Sequence, residues 1–194
     1  MKPYNGAKAE RISNETLPAG GYIACMLDGR IEEVNYGDHK GAKLKLDFDI
    51  VDGPYAGFFD RQFMLSTYDD KKWKGVIRLD VPDEGDKFFE SAKRRFNNFI
   101  YAVEASNKDK GYTWNWDESQ LKGKLIGVIF GNKEWEFNGK TGWSSVCAAL
   151  CSVQDIREGN YKVPADKPLK RASNSTVGGF GDYVPVPGDE DLPF

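Results

Sequence analysis

The segment EWEFNGKTGWSS, residues 134–145, places an Asn-Gly pair between alternating aromatic and polar residues. Asn138 and Gly139 favour the left-handed dihedrals of a two-residue turn, the commonest connection of a tight β-hairpin. The preceding stretch KGKLIGVIFG (122–131) predicts the first strand of the hairpin, and GWSSVCAALCSV (142–153) predicts its partner. A β-hairpin is therefore predicted in the C-terminal part of the folded chain.

Three further strands are predicted upstream. The stretch GYIACMLDGRIEEV (21–34) is rich in β-forming residues, with Gly29 as a bulge or bend. The stretch AKLKLDFDIV (42–51) alternates an apolar face (Leu44, Leu46, Phe48, Ile50) with a charged face (Lys43, Lys45, Asp47, Asp49). After the turn DGPYAG (52–57), FFDRQFMLS (58–66) is interpreted as the third strand.

Between this third strand and the hairpin, the apolar spacing changes to three and four residues. The positions from about Asp86 to Ser106 predict an amphipathic helix with Asp86 as its N-cap. Three strands, a helix and a hairpin form the element order of the five-stranded OB-fold barrel, in which the helix lies between strands 3 and 4. An SH3-like or other small β-barrel is the alternative fold.

The chain divides by composition into three parts. Residues 1–19 are predicted to be an N-terminal extension, 20–164 the OB-fold domain and 165–194 a flexible acidic tail, because no apolar periodicity follows Pro164. Residues 173–194 hold four acidic residues and no Lys or Arg, which leaves 27 basic and 26 acidic residues in the rest of the chain. The net charge of −3 therefore does not exclude a nucleic-acid partner.

The sequence also bears on the cellular compartment. No apolar run approaches the ~18 residues of a membrane span, and the N-terminus has no apolar signal segment. Three cysteines, an odd number, fit a reducing compartment. We therefore expect a cytoplasmic protein without a membrane partner, and a homo-oligomer is compatible with the sequence.

Patterns typical of catalysis or metal binding are weak. His39 with Cys25, Cys147 and Cys151 could supply four zinc ligands, but the cysteines fall in predicted strands, where small buried side chains are expected. Gly139-Lys140-Thr141 lacks the upstream glycine of a phosphate loop. The pairs Asp47/Asp49 and Glu134/Glu136 are interpreted as solvated strand faces rather than nuclease carboxylates. We predict no catalytic site, no cofactor and no metal.

Aromatic residues interleaved with cations favour binding of single-stranded nucleic acid. Bases stack on aromatic rings for ~1–3 kcal/mol each, and Lys or Arg neutralises phosphates without reading sequence. Alternation places Trp135 and Phe137 on one face, which could point to solvent or to the core. The predicted DNA-binding residues are Tyr36, Lys40, Lys43, Lys45, Arg61, Lys133, Trp135, Phe137, Lys140 and Trp143.

The last residues, DEDLPF (189–194), resemble the acidic tip of bacterial single-stranded DNA-binding proteins, whose usual form is Asp-Asp-Asp-Ile-Pro-Phe. Here Glu190 replaces an Asp and Leu192 an Ile, which keeps the charge and the apolar character. Further stretches are similar to phage and prophage single-stranded DNA-binding proteins: DGPYAGFFDRQF (52–63), LKGKLIGVIFGNKEWEFNGKTGW (121–143) and DIREGNYKVP (155–164).

This resemblance implies an OB fold that coats and protects single-stranded DNA during phage replication or recombination, in the host bacterial cytoplasm. Its tip is expected to recruit replication or recombination proteins, with Phe194 in an apolar pocket and the acids against Lys or Arg at the rim. The predicted partner-binding residues are Asp189, Glu190, Asp191, Leu192, Pro193 and Phe194. Two other functions stay open: a protein-interaction module that does not bind DNA, and a metal-dependent nuclease subunit.

Overall fold

The computed structural model describes residues 16–36, 39–67 and 69–169. They form a five-stranded antiparallel sheet of order β3-β2-β1-β4-β5, with helices packed against it. The strands are β1 (Gly20–Tyr36), β2 (His39–Ile50), β3 (Val76–Asp80), β4 (Leu125–Phe137) and β5 (Lys140–Cys151). The helices are α1 (Phe58–Leu65), α2 (Phe89–Ser106) and α3 (Val153–Glu158), with short 3-10 turns at Lys108–Lys110 and Glu118–Leu121. The fold is mainly β, with a helix between the third and fourth strands, as predicted.

The predicted hairpin is confirmed. Asn138 and Gly139 both have positive φ, 50° and 72°, and they join β4 directly to β5. The apolar face predicted for β2 is also confirmed, because each of its side chains is fully buried: Leu44, Leu46, Phe48 and Ile50. The bulge in β1 lies between Met26 and Asp28, two residues before the predicted Gly29.

The prediction of a third strand over residues 58–66 is wrong, because this stretch forms α1. Asp49, predicted on the charged outer face of β2, is only 7% exposed. Its carboxylate accepts hydrogen bonds from the backbone N–H groups of Phe59 (2.9 Å) and Asp60 (3.1 Å). These are first-turn donors that have no partner within the helix. The group that stabilises the start of α1 comes from β2, so no pattern inside the segment reveals it.

We expect Asp49→Ala to lower the free energy of unfolding by ~1–2 kcal/mol, because buried N–H groups at the start of α1 would lose their acceptor. Urea denaturation measures the loss. Asp60→Ala, which removes an exposed carboxylate from the same helical turn, should change stability by no more than ~0.5 kcal/mol. Equal losses in both variants would contradict the capping role of Asp49.

The third strand is instead β3, which lies between α1 and the predicted helix, in a stretch to which no strand was assigned. Its five residues pair with Lys43–Asp47 of β2, and Ile77 is its buried residue. A strand this short at the sheet edge has too few inward positions for alternation to be recognised.

The predicted amphipathic helix is confirmed as α2, whose buried side chains are Ala92, Phe96, Phe99, Ala102 and Val103. The helix begins at Phe89, so the predicted N-cap is wrong. Asp86 instead accepts a hydrogen bond from the N–H of Phe88, ahead of the helix (2.9 Å).

α2 packs against β3, β4 and β5, and so touches both edge strands of the sheet. Asn98 donates a hydrogen bond to the carbonyl of Leu150 in β5 (2.9 Å). The Asn107 amide bonds both backbone groups of Leu125, where β4 begins. Within the described residues no backbone ladder joins β3 to β5, so the closure expected of a barrel is not observed there.

Two half-buried ionisable side chains, Tyr22 and Cys151, make the stability of the protein sensitive to alkaline pH. Burial raises the pKa of Tyr22, whose hydroxyl donates to the carbonyl of Pro18 (2.7 Å), from 10.0 to about 12. Burial likewise raises the pKa of the Cys151 thiol from 9.0 to about 11. Because both groups lose their protons more readily in the unfolded chain, the stability they contribute is complete below about pH 9 and declines as the pH approaches their folded values.

We therefore expect the melting temperature to fall as the pH rises from about 9 to about 11. Thermal unfolding followed by circular dichroism measures the change. A Tyr22→Phe/Cys151→Ser variant removes both titrations and should lose less over the same interval. The same decline in the variant and the parent would contradict this assignment.

Candidate nucleic-acid interface

β4 and β5 extend beyond the rest of the sheet as a two-stranded ribbon. β1 pairs with β4 only from Leu125 to Phe130, whereas β4 and β5 remain paired as far as Phe137 and Lys140. Residues 131–146 are here called the β4–β5 arm. Towards its tip the ribbon exposes side chains of both faces to solvent, among them Trp135, Phe137 and Trp143.

The pairing register divides the side chains of the arm between two faces, because cross-strand partners share a face and successive residues alternate. One face, here called the basic–aromatic face, carries Lys133, Trp135, Phe137, Lys140, Gly142 and Ser144. The opposite face carries Asn132, Glu134, Glu136, Thr141, Trp143 and Ser145. The structure thus brings four predicted DNA-binding residues onto one face and places Trp143 on the other, beside two acids.

Both rings of the basic–aromatic face reach solvent. Trp135 is 39% exposed and Phe137 54% exposed. The Trp135 indole lies over Gly142, where an added Cβ would come within 2.6 Å of Cζ2. Glycine at this position therefore lets the ring lie against the ribbon. Among the described residues, no ion pair engages Lys133 or Lys140, so both charges are free to meet phosphate.

The edge of β4 that β1 leaves uncovered along the arm is occupied by the end of the described chain. The N–H of Lys167 donates to the carbonyl of Asn132, and its own carbonyl accepts from the N–H of Glu134, both at 2.9 Å. The N–H of Leu169 donates to Glu134 Oε2 (3.0 Å). The described chain therefore ends beside the middle of the arm.

Lys43 and Lys45 lie elsewhere, on the outer face of β1, β2 and β3. That face carries four cations and four acids: Arg30, Lys43, Lys45, Arg78, Asp28, Glu32, Asp47 and Asp80. Lys45 Nζ lies 3.5 Å from Glu32 Oε1, and Lys43 Nζ lies 3.8 Å from Asp80 Oδ1. A hydrogen bond to Asp47 (2.9 Å) raises the pKa of the Arg30 guanidinium. The charges of this face are balanced within it, and a phosphate would have to compete with carboxylates.

The remaining predicted residues do not join the arm. Lys40 is exposed near the tip of the β1–β2 hairpin, which lies at the opposite end of β1 from the arm. Tyr36 closes β1, but its side chain lies outside what the structure describes. Arg61 lies in α1, not on a third strand, and its guanidinium donates a hydrogen bond to the carbonyl of Ala56. The tip residues 189–194 lie outside the described residues.

Sequence reasoning missed an aromatic cluster between α2 and β4. Trp116 has a positive φ of 65° and is 69% exposed. Its ring stacks parallel to that of Phe96 at 5.8 Å, with 6° between the planes. Trp114 packs edge-on against both Phe96 and Phe99. The repeated Trp in YTWNWD (112–117) was the available signal.

The carboxylate pairs considered for a nuclease have separate roles. Asp47 bonds Arg30 on the outer face, whereas Asp49 bonds the backbone of α1. Glu134 accepts the N–H of Leu169. Within the described residues, no group of three His, Cys, Asp or Glu side chains gathers as metal ligands would, and the three cysteines are free thiols.

A scan of the chain against protein-family models finds no match, and a search of curated proteins finds no similar sequence. None of the helices in the described part of the chain is both long and apolar enough to cross a membrane.

Proposed function

We propose that this protein binds single-stranded DNA through the basic–aromatic face of the β4–β5 arm. The observation that carries the proposal is the placement of two exposed rings and two lysines on one face of a protruding ribbon. Bases would stack on Trp135 and Phe137, while Lys133 and Lys140 would neutralise neighbouring phosphates. Neither contact reads base identity, so binding would be independent of sequence.

The wider architecture supports the same proposal. The element order of the sheet, with α2 touching both edge strands, fits an OB fold that closes less completely than a barrel. Single-stranded nucleic acid is a common ligand of that fold. The resemblance to phage single-stranded DNA-binding proteins points to coating and protection of DNA during replication or recombination in a host cytoplasm.

The structure offers less support for the rival functions. A nuclease needs carboxylates that converge on a metal, and both oxygens of Asp49 are taken by backbone N–H groups of α1. A module that binds only proteins gives no reason for lysines to alternate with exposed rings on the arm.

Titration with oligo-dT, followed by quenching of tryptophan fluorescence, tests the proposal. Binding should weaken as salt rises, because each neutralised phosphate contributes about −0.7 to the slope of log K against log salt for a single strand. Lys133→Ala and Lys140→Ala should each make that slope shallower by about 0.7. Lys45→Ala is the matched control and should leave it unchanged. The absence of binding at micromolar protein would overturn the proposed function.

We further propose that residues 189–194 recruit replication or recombination proteins. The described chain ends at Leu169 beside the arm, so a partner held by the tip would be tethered near the bound strand. Deletion of residues 189–194 should leave oligo-dT affinity intact and abolish pull-down of such partners from a host lysate. Phe194→Ala alone should reproduce most of the loss, because the ring is the proposed anchor. Undiminished pull-down by the deletion variant would contradict this role.

A further inference from the structure

The backbone of Trp116 has an unusual conformation for an exposed aromatic residue. A positive φ is uncommon for residues other than glycine and is a genuine outlier for a bulky side chain. At 65° the backbone of Trp116 adopts this conformation while 69% of the residue stays in water. Burial alone does not explain a strained backbone that supports a mostly exposed ring, and such strain is found preferentially at functional positions.

The orientation of the indole suggests what it could bind. One face of the ring lies flat on Phe96, which is only 2% exposed and belongs to the buried side of α2. Trp114 lies against the edge of Trp116 at 6.2 Å. Phe96 and Trp114 therefore hold the indole in place and leave its outer face open. A rigid, solvent-facing aromatic plane suits a second planar ring, which can stack at little cost in side-chain entropy.

A cation lies on the same side of α2. Lys93 is three residues before Phe96, so the two side chains are neighbours on the helix surface. Its ammonium lies over the Phe89 ring, 5.2 Å from the centroid, and the residue is exposed. The nearest acidic neighbour of Trp116 in sequence, Asp117, is engaged with Ser119 and Gln120. Phe96, on which Trp116 stacks, therefore has a lysine as a neighbour on the helix surface.

We propose that Trp116 is a second stacking platform, which binds an unpaired nucleobase of single-stranded DNA while Lys93 contacts the adjoining phosphate. This inference rests on the proposed function and adds a contact on α2, away from the arm. One DNA strand would then contact two separate surfaces of the same protein molecule.

Affinity for a long oligo-dT tests the contact. Trp116→Leu keeps an apolar cover over Phe96 but removes the aromatic plane, and it should weaken binding at least about fivefold, the lower end of what one stacked base contributes. Trp116→Tyr keeps a ring and should retain most of the affinity. The two variants should melt at similar temperatures. Tyr101→Leu, which removes a 62% exposed ring from the solvent side of α2, is the control and should bind as the parent does.

Photo-crosslinking with oligo-dT that carries 5-iododeoxyuridine locates the contact directly. Mass spectrometry should find an adduct on Trp116 in addition to one on the arm. Adducts on Trp135 without any on Trp116, together with full affinity in Trp116→Leu, would overturn this inference and leave the proposed function standing. Loss of affinity in Trp116→Leu and Trp116→Tyr alike, with matching losses in melting temperature, would show that Trp116 is only structural. Failure of the parent protein to bind oligo-dT would overturn both.

Discussion

Trp135→Ala/Phe137→Ala is expected to weaken binding to oligo-dT by ~2–6 kcal/mol, or at least about 25-fold, because two bases would each lose a stacking partner. Both rings lie on the basic–aromatic face, and neither is a core residue. The double variant should therefore retain the melting temperature of the parent to within a few degrees. Fluorescence anisotropy of a labelled oligo-dT measures affinity without depending on the tryptophan that has been removed.

Trp143→Ala provides the matched control on the same ribbon. Its ring is 48% exposed, comparable to Trp135, but it lies on the opposite face beside Glu134 and Glu136. Since like charge repels phosphate there, we expect the loss of Trp143 to change affinity less than about threefold. An effect of Trp143→Ala as large as that of the double variant would show that DNA does not distinguish the two faces of the arm.

Phe99→Ala is expected to lower the free energy of unfolding by ~3–5 kcal/mol, the usual cost of removing a buried phenylalanine. Phe99 has no exposed surface and contacts Phe96 and Trp114 edge-on at 5.7 and 5.8 Å. It lies on the helix that packs against both edge strands of the sheet. The cavity left by its removal would therefore loosen an element that bridges β3 and β5.

Chemical denaturation of Phe99→Ala and Tyr101→Ala compares two aromatic residues of the same helix. Tyr101 is 62% exposed, and its replacement should cost no more than ~0.5 kcal/mol. A small loss in Phe99→Ala would mean that α2 contributes little to the core and that the sheet is stable without it.

The elements predicted correctly are those whose sequence pattern is contained in one short stretch of consecutive residues. The Asn138-Gly139 turn requires only two residues with positive φ, and β2 shows its buried face through four alternating apolar residues. α2 shows its buried face through apolar residues that recur every three or four positions. Each of these patterns reports a local backbone geometry together with one buried face, so it can be recognised without knowing the partner element.

The errors arose where a distant residue decides the local structure. FFDRQFMLS is a helix because Asp49, on β2, supplies acceptors to its first turn. β3 forms because Val76–Asp80 pair with the outer edge of β2. In each case the backbone partner lies outside the window that a sequence pattern covers.

For the candidate site, the residue types are evident from the sequence: aromatic rings interleaved with lysines around a tight turn, and an acidic tip ending in Pro-Phe. Tertiary structure decided which of them act together. Cross-strand register places Lys133, Trp135, Phe137 and Lys140 on one face of the arm and Trp143 on the other. It also places Lys43 and Lys45 among carboxylates that compensate their charge. The physical reason is that the exposure and free charge of a side chain depend on its neighbours across strands, and those neighbours are set only when the sheet forms.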